Sequence, residues 1–284
     1  MTVSRYPRIR RQLSNGFVIL QDGLALSYFI PRPHKEASGP VIKALELYLR
    51  AVGRDTLRWY TNAQGEEQPL DEEGWSFIHE KLRGEKGWPV DLWESNTAVG
   101  NHRFEYRART ACGVTFWLPT EYMEAQGPAA VKSLAVALAR ELPLSTGYAS
   151  LALNTLLDEA GIARVLREPC FRYPGLDIVD SGVAMRLGTR PKGTYWLNFY
   201  GPPLLNELGG VTGLRERLPD LSVQEFAPDK VLVELGEWPE VEGDMPSYRQ
   251  LARVLEPHLY QETQPPLPPR TCAAGSVASS TESP

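Results

Sequence analysis

Three times along the chain an extended apolar segment runs into proline, then an amphipathic helix, then another extended segment. This recurrence constrains the fold more than any other feature of the sequence. In the first instance LALSYFIPRP (Leu24 to Pro33) has strand composition. Ser38 is expected to cap a helix with Val41, Leu45, Tyr48, Leu49 and Val52 on one face, Gly53 to close it, and LRWYTN to follow as a strand. In the second, RFEYRA and GVTFWLP (Arg103 to Pro119) read as two strands turning near Cys112 and Gly113. Pro128 opens a helix with Val131, Leu134, Ala135 and Leu138 in its buried stripe, and TGYASLAL returns as a strand. The third is YWLNFYGPPLLNELGG, residues 195–210. It reads as an aromatic strand, Pro202 or Pro203 in a first helical turn, a short face of Leu204, Leu205 and Leu208, and Gly209 as a left-handed stop. SVQEF and KVLVELG then suggest a hairpin around Ala227 to Asp229. Ser247 is expected to cap a last helix bearing Tyr248, Leu251, Ala252, Leu255 and Leu259, which Pro257 bends or ends. Strands mixed with a few good helices, without regular parallel alternation, point to an α+β fold. The expectation is a mainly antiparallel sheet, or sheets, with several amphipathic helices packed on it, in keeping with repeated strand–Pro–helix–strand units.

A chain of 284 residues with 42% hydrophobic content can bury one sizeable core, so a single α+β domain is expected over residues 17–262. Residues 1–16 carry Arg5, Arg8, Arg10 and Arg11 and read as a basic arm. Residues 263–284 are rich in Pro, Ser and Ala and read as a flexible tail. The apolar run Phe17 to Leu20 is too short for a signal-peptide core, and no stretch approaches the ~20 apolar residues of a spanning helix. A cytoplasmic protein without membrane contact is expected. Three widely spaced cysteines, with no C-x-x-C pair, argue against a disulfide framework or a zinc site; Cys112 and Cys170 read as core thiols. A net charge of −5, from 30 Lys and Arg against 35 Asp and Glu, does not recommend nucleic acid as a direct partner.

The phosphate-loop, zinc-protease, serine-hydrolase and restriction-nuclease signatures are each missing or broken at a chemically necessary position. GTRPKGT (Gly188 to Thr194) spaces two glycines like a phosphate loop, but Thr194 stands where lysine is required and a strand follows instead of a helix. His79 and Glu80 begin H-E-x-x-H, but Arg83 replaces the second zinc ligand; His34, His79, His102 and His258 are scattered and read as solvated or capping. No G-x-S-x-G elbow occurs. Pro219-Asp220 and Pro228-Asp229 lead to Glu225 and Glu234 without the lysine of a restriction-type nuclease. No catalytic residue, cofactor or metal ligand is assigned. The nearest carboxylates for a hydrolase are Asp177 in YPGLDI and Glu121 in LPTEY.

Clustered acids stand out instead. GEEQPLDEEGW places Glu66, Glu67, Asp71, Glu72 and Glu73 beside Trp75. ELGEWPEVEGD places Glu234, Glu237, Glu240, Glu242 and Asp244 around Trp238. Two readings stay open: a pair of solvated acidic loops, or a negative surface with aromatic anchors that meets a basic partner.

The order LSYFIPRPH, LELYL, LRWYTNAQGEEQPLDEEGW, FWLPTEYM, LPLSTGYASLAL, RYPGLDI and WLNFYGPPLLNELGG resembles the TsiV-type family of type VI secretion immunity proteins, formerly a domain of unknown function. The resemblance covers roughly residues 15–260. It implies a non-enzymatic protein that binds one cognate effector toxin, often a DNase of restriction-nuclease-like fold, and occludes its active or DNA-binding site. It assigns no residue to that interface. The residues expected there are Glu66, Glu67, Asp71, Glu72, Glu73, Trp75, Glu237, Trp238, Glu240, Glu242 and Asp244, facing the basic groove of a nuclease. The competing readings are a carboxylate-dependent hydrolase and an adaptor of the secretion machinery.

Overall fold

The computed structural model describes residues 6–96, 99, 101–108, 111–155, 162–179 and 186–261. The expected tail over 263–284, with Cys272, lies outside the described residues. Twelve strands form one sheet: β1 (Arg10–Gln12), β2 (Val18–Ile30), β3 (Trp59–Thr61), β4 (Glu67–Pro69), β5 (Val90–Trp93), β6 (Arg103–Ala108), β7 (Cys112–Leu118), β8 (Thr146–Thr155), β9 (Asp177–Ile178), β10 (Leu197–Tyr200), β11 (Ser222–Ala227) and β12 (Lys230–Glu234). Eight helices accompany it among the described residues: α1 (His34–Val52), α2 (Glu72–Arg83), α3 (Thr120–Gln126), α4 (Pro128–Glu141), α5 (Ile162–Arg172), α6 (Leu204–Glu207), α7 (Gly210–Arg217) and α8 (Pro246–Leu255). The strand order is β11-β12-β10-β8-β2-β7-β6-β5-β3-β4, with β1 on β2 and β9 on β8. Every pairing is antiparallel except β8 with β9. This is the α+β fold expected from the sequence. None of the described helices is long and apolar enough to cross a membrane.

The central strands β2, β7, β8 and β10 are buried on both faces, and that explains why they read as nearly continuous apolar runs. On one face Leu24, Leu26, Tyr28 and Ile30 of β2 join Phe104, Tyr106, Val114, Phe116, Leu151 and Phe199. They pack against Val41, Leu45, Tyr48 and Leu49 of α1 and Val131, Ala135 and Leu138 of α4. On the other face, at the β10–β12 end, Tyr200, Val231 and Val233 are covered by Leu204 and Leu208, Leu214 of α7, and Tyr248, Leu251 and Leu255 of α8. The middle of that face carries Phe29 and Tyr148 beneath Leu187 and Tyr195.

A transverse polar row crosses this second face. Asp91, Glu105, Thr115, Ser27, Tyr148 and Asn198 are successive register partners from β5 to β10, so their side chains share one face. Ser27 Oγ and Thr115 Oγ1 bond at 3.0 Å. Asp91 pairs with Arg107 at 2.8 Å, and Asn198 Nδ2 donates to the carbonyl of Tyr195 at 2.6 Å. Burial without such partners would cost each group more than a hydrogen bond returns.

Several local expectations shift. Helix α1 starts at His34 with Pro33 at its N-cap, so Ser38 lies inside the helix, as does Pro40. Gly53 does end it, at φ 98°. Ser247 is likewise interior to α8, whose N-cap is Met245. Residues 6–12, placed in a basic arm by composition, are packed: Tyr6 and Ile9 are buried, β1 pairs with β2, and the Ile9 N–H donates to Asp22 Oδ1 at 2.7 Å. Arg8 is held by Glu121 and Glu124 of α3. In YWLNFYGPPLLNELGG the strand, the helix after Pro203 and Gly209 at φ 79° appear as expected. A Cβ on Gly201 would strike the carbonyl oxygen of Leu144, so that glycine serves the close packing of its strand end on a neighbouring segment.

Candidate functional site

The first acidic stretch is a helix start as much as a surface. Asp71 caps α2, its carboxylate accepting the Gly74 N–H at 2.9 Å, and Glu72 and Glu73 occupy the first turn. Lys81 and Arg83 fill the last turn, so the charges oppose the helix macrodipole at both ends. Glu66 accepts from Asn62 Nδ2 at 3.1 Å in the β3–β4 turn, and Glu67 lies on edge strand β4. Glu66, Glu67, Asp71, Glu72 and Glu73 are all exposed and are gathered at the β3–β4 edge. Ile78 and Leu82 bury the opposite face of α2 in the main core.

Beside this acidic end, α1 and α2 enclose a groove of about 380 Å³. Each helix contributes residues at i, i+3, i+4 and i+7: Ile42, Leu45, Glu46 and Leu49 from α1, and Glu72, Trp75, Ser76 and His79 from α2, with Arg54 just beyond α1. Trp75 and His79 pack ring against ring, centroids 6.0 Å apart. The His79 Nδ1 atom is buried without a hydrogen-bond partner. Burial and then Arg83 pull the His79 pKa below its ordinary 6.5, against the opposing pull of Glu46, so the ring is neutral at pH 7. Leu45 and Leu49 belong to the stripe of α1 that faces the sheet, and Ile42 and Glu46 widen it toward α2. The signal in the sequence was the spacing of Glu72, Trp75, Ser76 and His79 after a capping Asp71.

The second acidic stretch lies elsewhere. It leaves β12 near the opposite end of the sheet and passes α5 and β9, where the Gly175 N–H donates to the Val241 carbonyl at 3.0 Å. Five strands, β2, β7, β6, β5 and β3, separate β8 from β4, so the two stretches are not brought together. Glu234 is paired with Lys132 at 2.5 Å, and Asp244 with Arg249. Glu237, Glu240 and Glu242 are exposed, and Trp238 is partly buried against the main core.

The two carboxylates considered for hydrolysis have separate structural duties. Asp177 is buried; its oxygens accept from Tyr148 Oη at 2.6 Å and Lys192 Nζ at 2.7 Å, clamping β9 onto the sheet. Glu121 is mostly exposed and pairs with Arg8 at 3.0 Å. Two histidines have structural partners: His34, expected to be solvated or capping, is buried and bonds Tyr106 Oη at 2.8 Å and the Gly84 carbonyl at 3.0 Å, and His102 bonds Glu94 at 2.8 Å. The Cys112 thiol is buried, accepting from Tyr106 Oη at 3.3 Å and donating to the Arg32 carbonyl at 3.4 Å, and Cys170 is half-buried.

The comparisons with known proteins agree with the motif order. The Pseudomonas aeruginosa T6SS protein PA0821 shares the fold, with a TM-score of 0.71 over 89% of this chain and 80% of that chain at 20% identity. No curated protein matches significantly. A family model described as TsiV, Type VI immunity for VRR-NUC, matches residues 40–275. The match takes in α1 from Pro40 onward, α2, the sheet from β3 onward and the α8 cover, and the chain therefore belongs to the TsiV family of type VI immunity proteins.

Proposed function

We propose that the protein is a non-enzymatic, stoichiometric inhibitor that binds a cognate VRR-NUC effector and occludes its DNA-binding or active site with the acidic end of α2. The family supplies immunity to an effector. The observation that carries the surface is the gathering of Glu66, Glu67, Asp71, Glu72 and Glu73 at one sheet edge beside the α1–α2 groove. A nuclease groove is positive because it holds phosphates, so a negative surface is drawn to it and excludes DNA. A standard interface takes about 800 Å² from each partner, a patch roughly 30 Å across. With strands ~4.8 Å apart, a patch centred on α2 does not extend across the sheet to Glu237–Asp244. The α2 end is therefore the contact surface, and the second stretch is solvated. Action in the cytoplasm, where the effector's DNA substrate lies, follows from the same reading, and no cofactor is required.

The test is titration of the purified effector with this protein while DNA cleavage is followed. Inhibition is complete at a 1:1 ratio and weakens as salt rises. Charge reversal at Glu67, Glu72 and Glu73 slows association, whereas reversal at Glu237, Glu240 and Glu242 leaves it unchanged. Cleavage that continues beside an excess of the wild-type protein rejects the proposal.

A further inference from the structure

We infer that the α1–α2 groove is a socket for a single cationic side chain of the effector, an arginine or lysine, whose aliphatic stem lies on Leu45, Leu49 and Trp75 and whose charged head meets Glu46 and Glu72. This rests on the immunity reading and specifies what the partner must present. The cavity is amphipathic in the sense such a side chain needs: its floor is aliphatic and aromatic, and its acids sit on exposed positions of both helices. A lysine or arginine buries its methylenes on apolar surface while its charge remains among polar groups, and an indole face adds attraction for a cation. His79 is compatible with the same occupant: its ring packs on Trp75, and burial and then Arg83 hold its pKa below the ordinary 6.5, so near neutral pH it does not add a full positive charge to the lining. The lining holds two carboxylates, Glu46 and Glu72, against one guanidinium, Arg54, with Arg83 also near enough to act on His79. An anionic or purely apolar occupant leaves Glu46 and Glu72 desolvated without compensation.

The experiment measures affinity for the purified VRR-NUC effector from the same genome by calorimetry. Ser76 is exposed and lines the groove, so Ser76→Arg fills the socket with the chain's own guanidinium without removing core atoms. Glu80→Gln, on the same helix outside the groove, changes net charge equally and serves as the control. A socket of hot-spot strength loses about 30-fold or more in affinity with S76R, about tenfold with the E46Q/E72Q pair, and little with E80Q. Equal binding by wild type and S76R overturns the socket while leaving the immunity reading intact. Weakening by S76R with full affinity in E46Q/E72Q overturns the cationic occupant. Absence of binding by the wild-type protein overturns the immunity reading itself.

Discussion

Lys230 of β12 donates from Nζ to the carbonyl oxygen of Leu142 at 2.8 Å, and also to those of Arg140 at 3.0 Å and Ala139 at 3.2 Å. One ammonium thus satisfies the carbonyls at the C-terminal end of α4 and ties that helix to the far end of the sheet. Burial lowers the lysine pKa, but three acceptors at the negative end of a helix keep the charged form useful. Lys230→Met retains the stem and removes the cap. It is expected to cost about 1–2 kcal/mol, read as a lower midpoint in thermal denaturation.

Asp177 bridges Lys192 and Tyr148 inside the fold. Asp177→Asn keeps the shape but leaves a partly buried ammonium without its counter-charge, with an expected loss of about 2–3 kcal/mol. Effector affinity stays at the wild-type level at a temperature where the variant is folded. A stable variant that no longer inhibits the effector would give the carboxylate a functional role.

Gly74 lies within the acidic stretch, where a Cβ would come 2.8 Å from the Tyr60 ring and 3.2 Å from the Pro69 carbonyl. Helix propensity alone favours Gly74→Ala by about 1 kcal/mol. Overpacking against β3 and β4 is expected to outweigh it, giving a net destabilisation of about 1–2 kcal/mol in urea denaturation. A variant more stable than wild type would show that α2 docks more loosely than the structure describes.

His79 sets a pH dependence. Its folded pKa lies below 6.5 because of burial and Arg83, so in the interval between the folded and unfolded values the unfolded chain binds a proton that the native protein does not. The stabilisation is intact above about pH 6.5 and is lost as pH falls through that interval. NMR titration of the His79 ring should give a midpoint below 6.5. His79→Asn should flatten the decline in thermal midpoint between about pH 7.5 and 5.5; an equally steep decline in the variant assigns the effect to other groups.

Much of the frame was legible in the chain because it depends on local chemistry. The apolar stripe of α4 after Pro128, the stop at Gly53, the hairpin turning at Asp229 with φ 56°, and the strand, helix and left-handed glycine of residues 195–210 all follow from side-chain period and backbone preference within a few neighbours. Helix α2 was hidden because Asp71, Glu72 and Glu73 read equally as a solvated loop and as a capped first turn. The difference is whether Ile78 and Leu82 find a core to bury against.

By itself the sequence determined the fold class and, through the order of its motifs, the immunity family. Only the tertiary structure decided that the two acidic stretches lie apart, that Asp177 is a clamp, and that one face of α1 and one face of α2 enclose a groove under the acidic end. Each of those facts depends on strand register and helix packing between residues distant in the chain, where the favourable energy comes from surfaces that meet only after the sheet has formed.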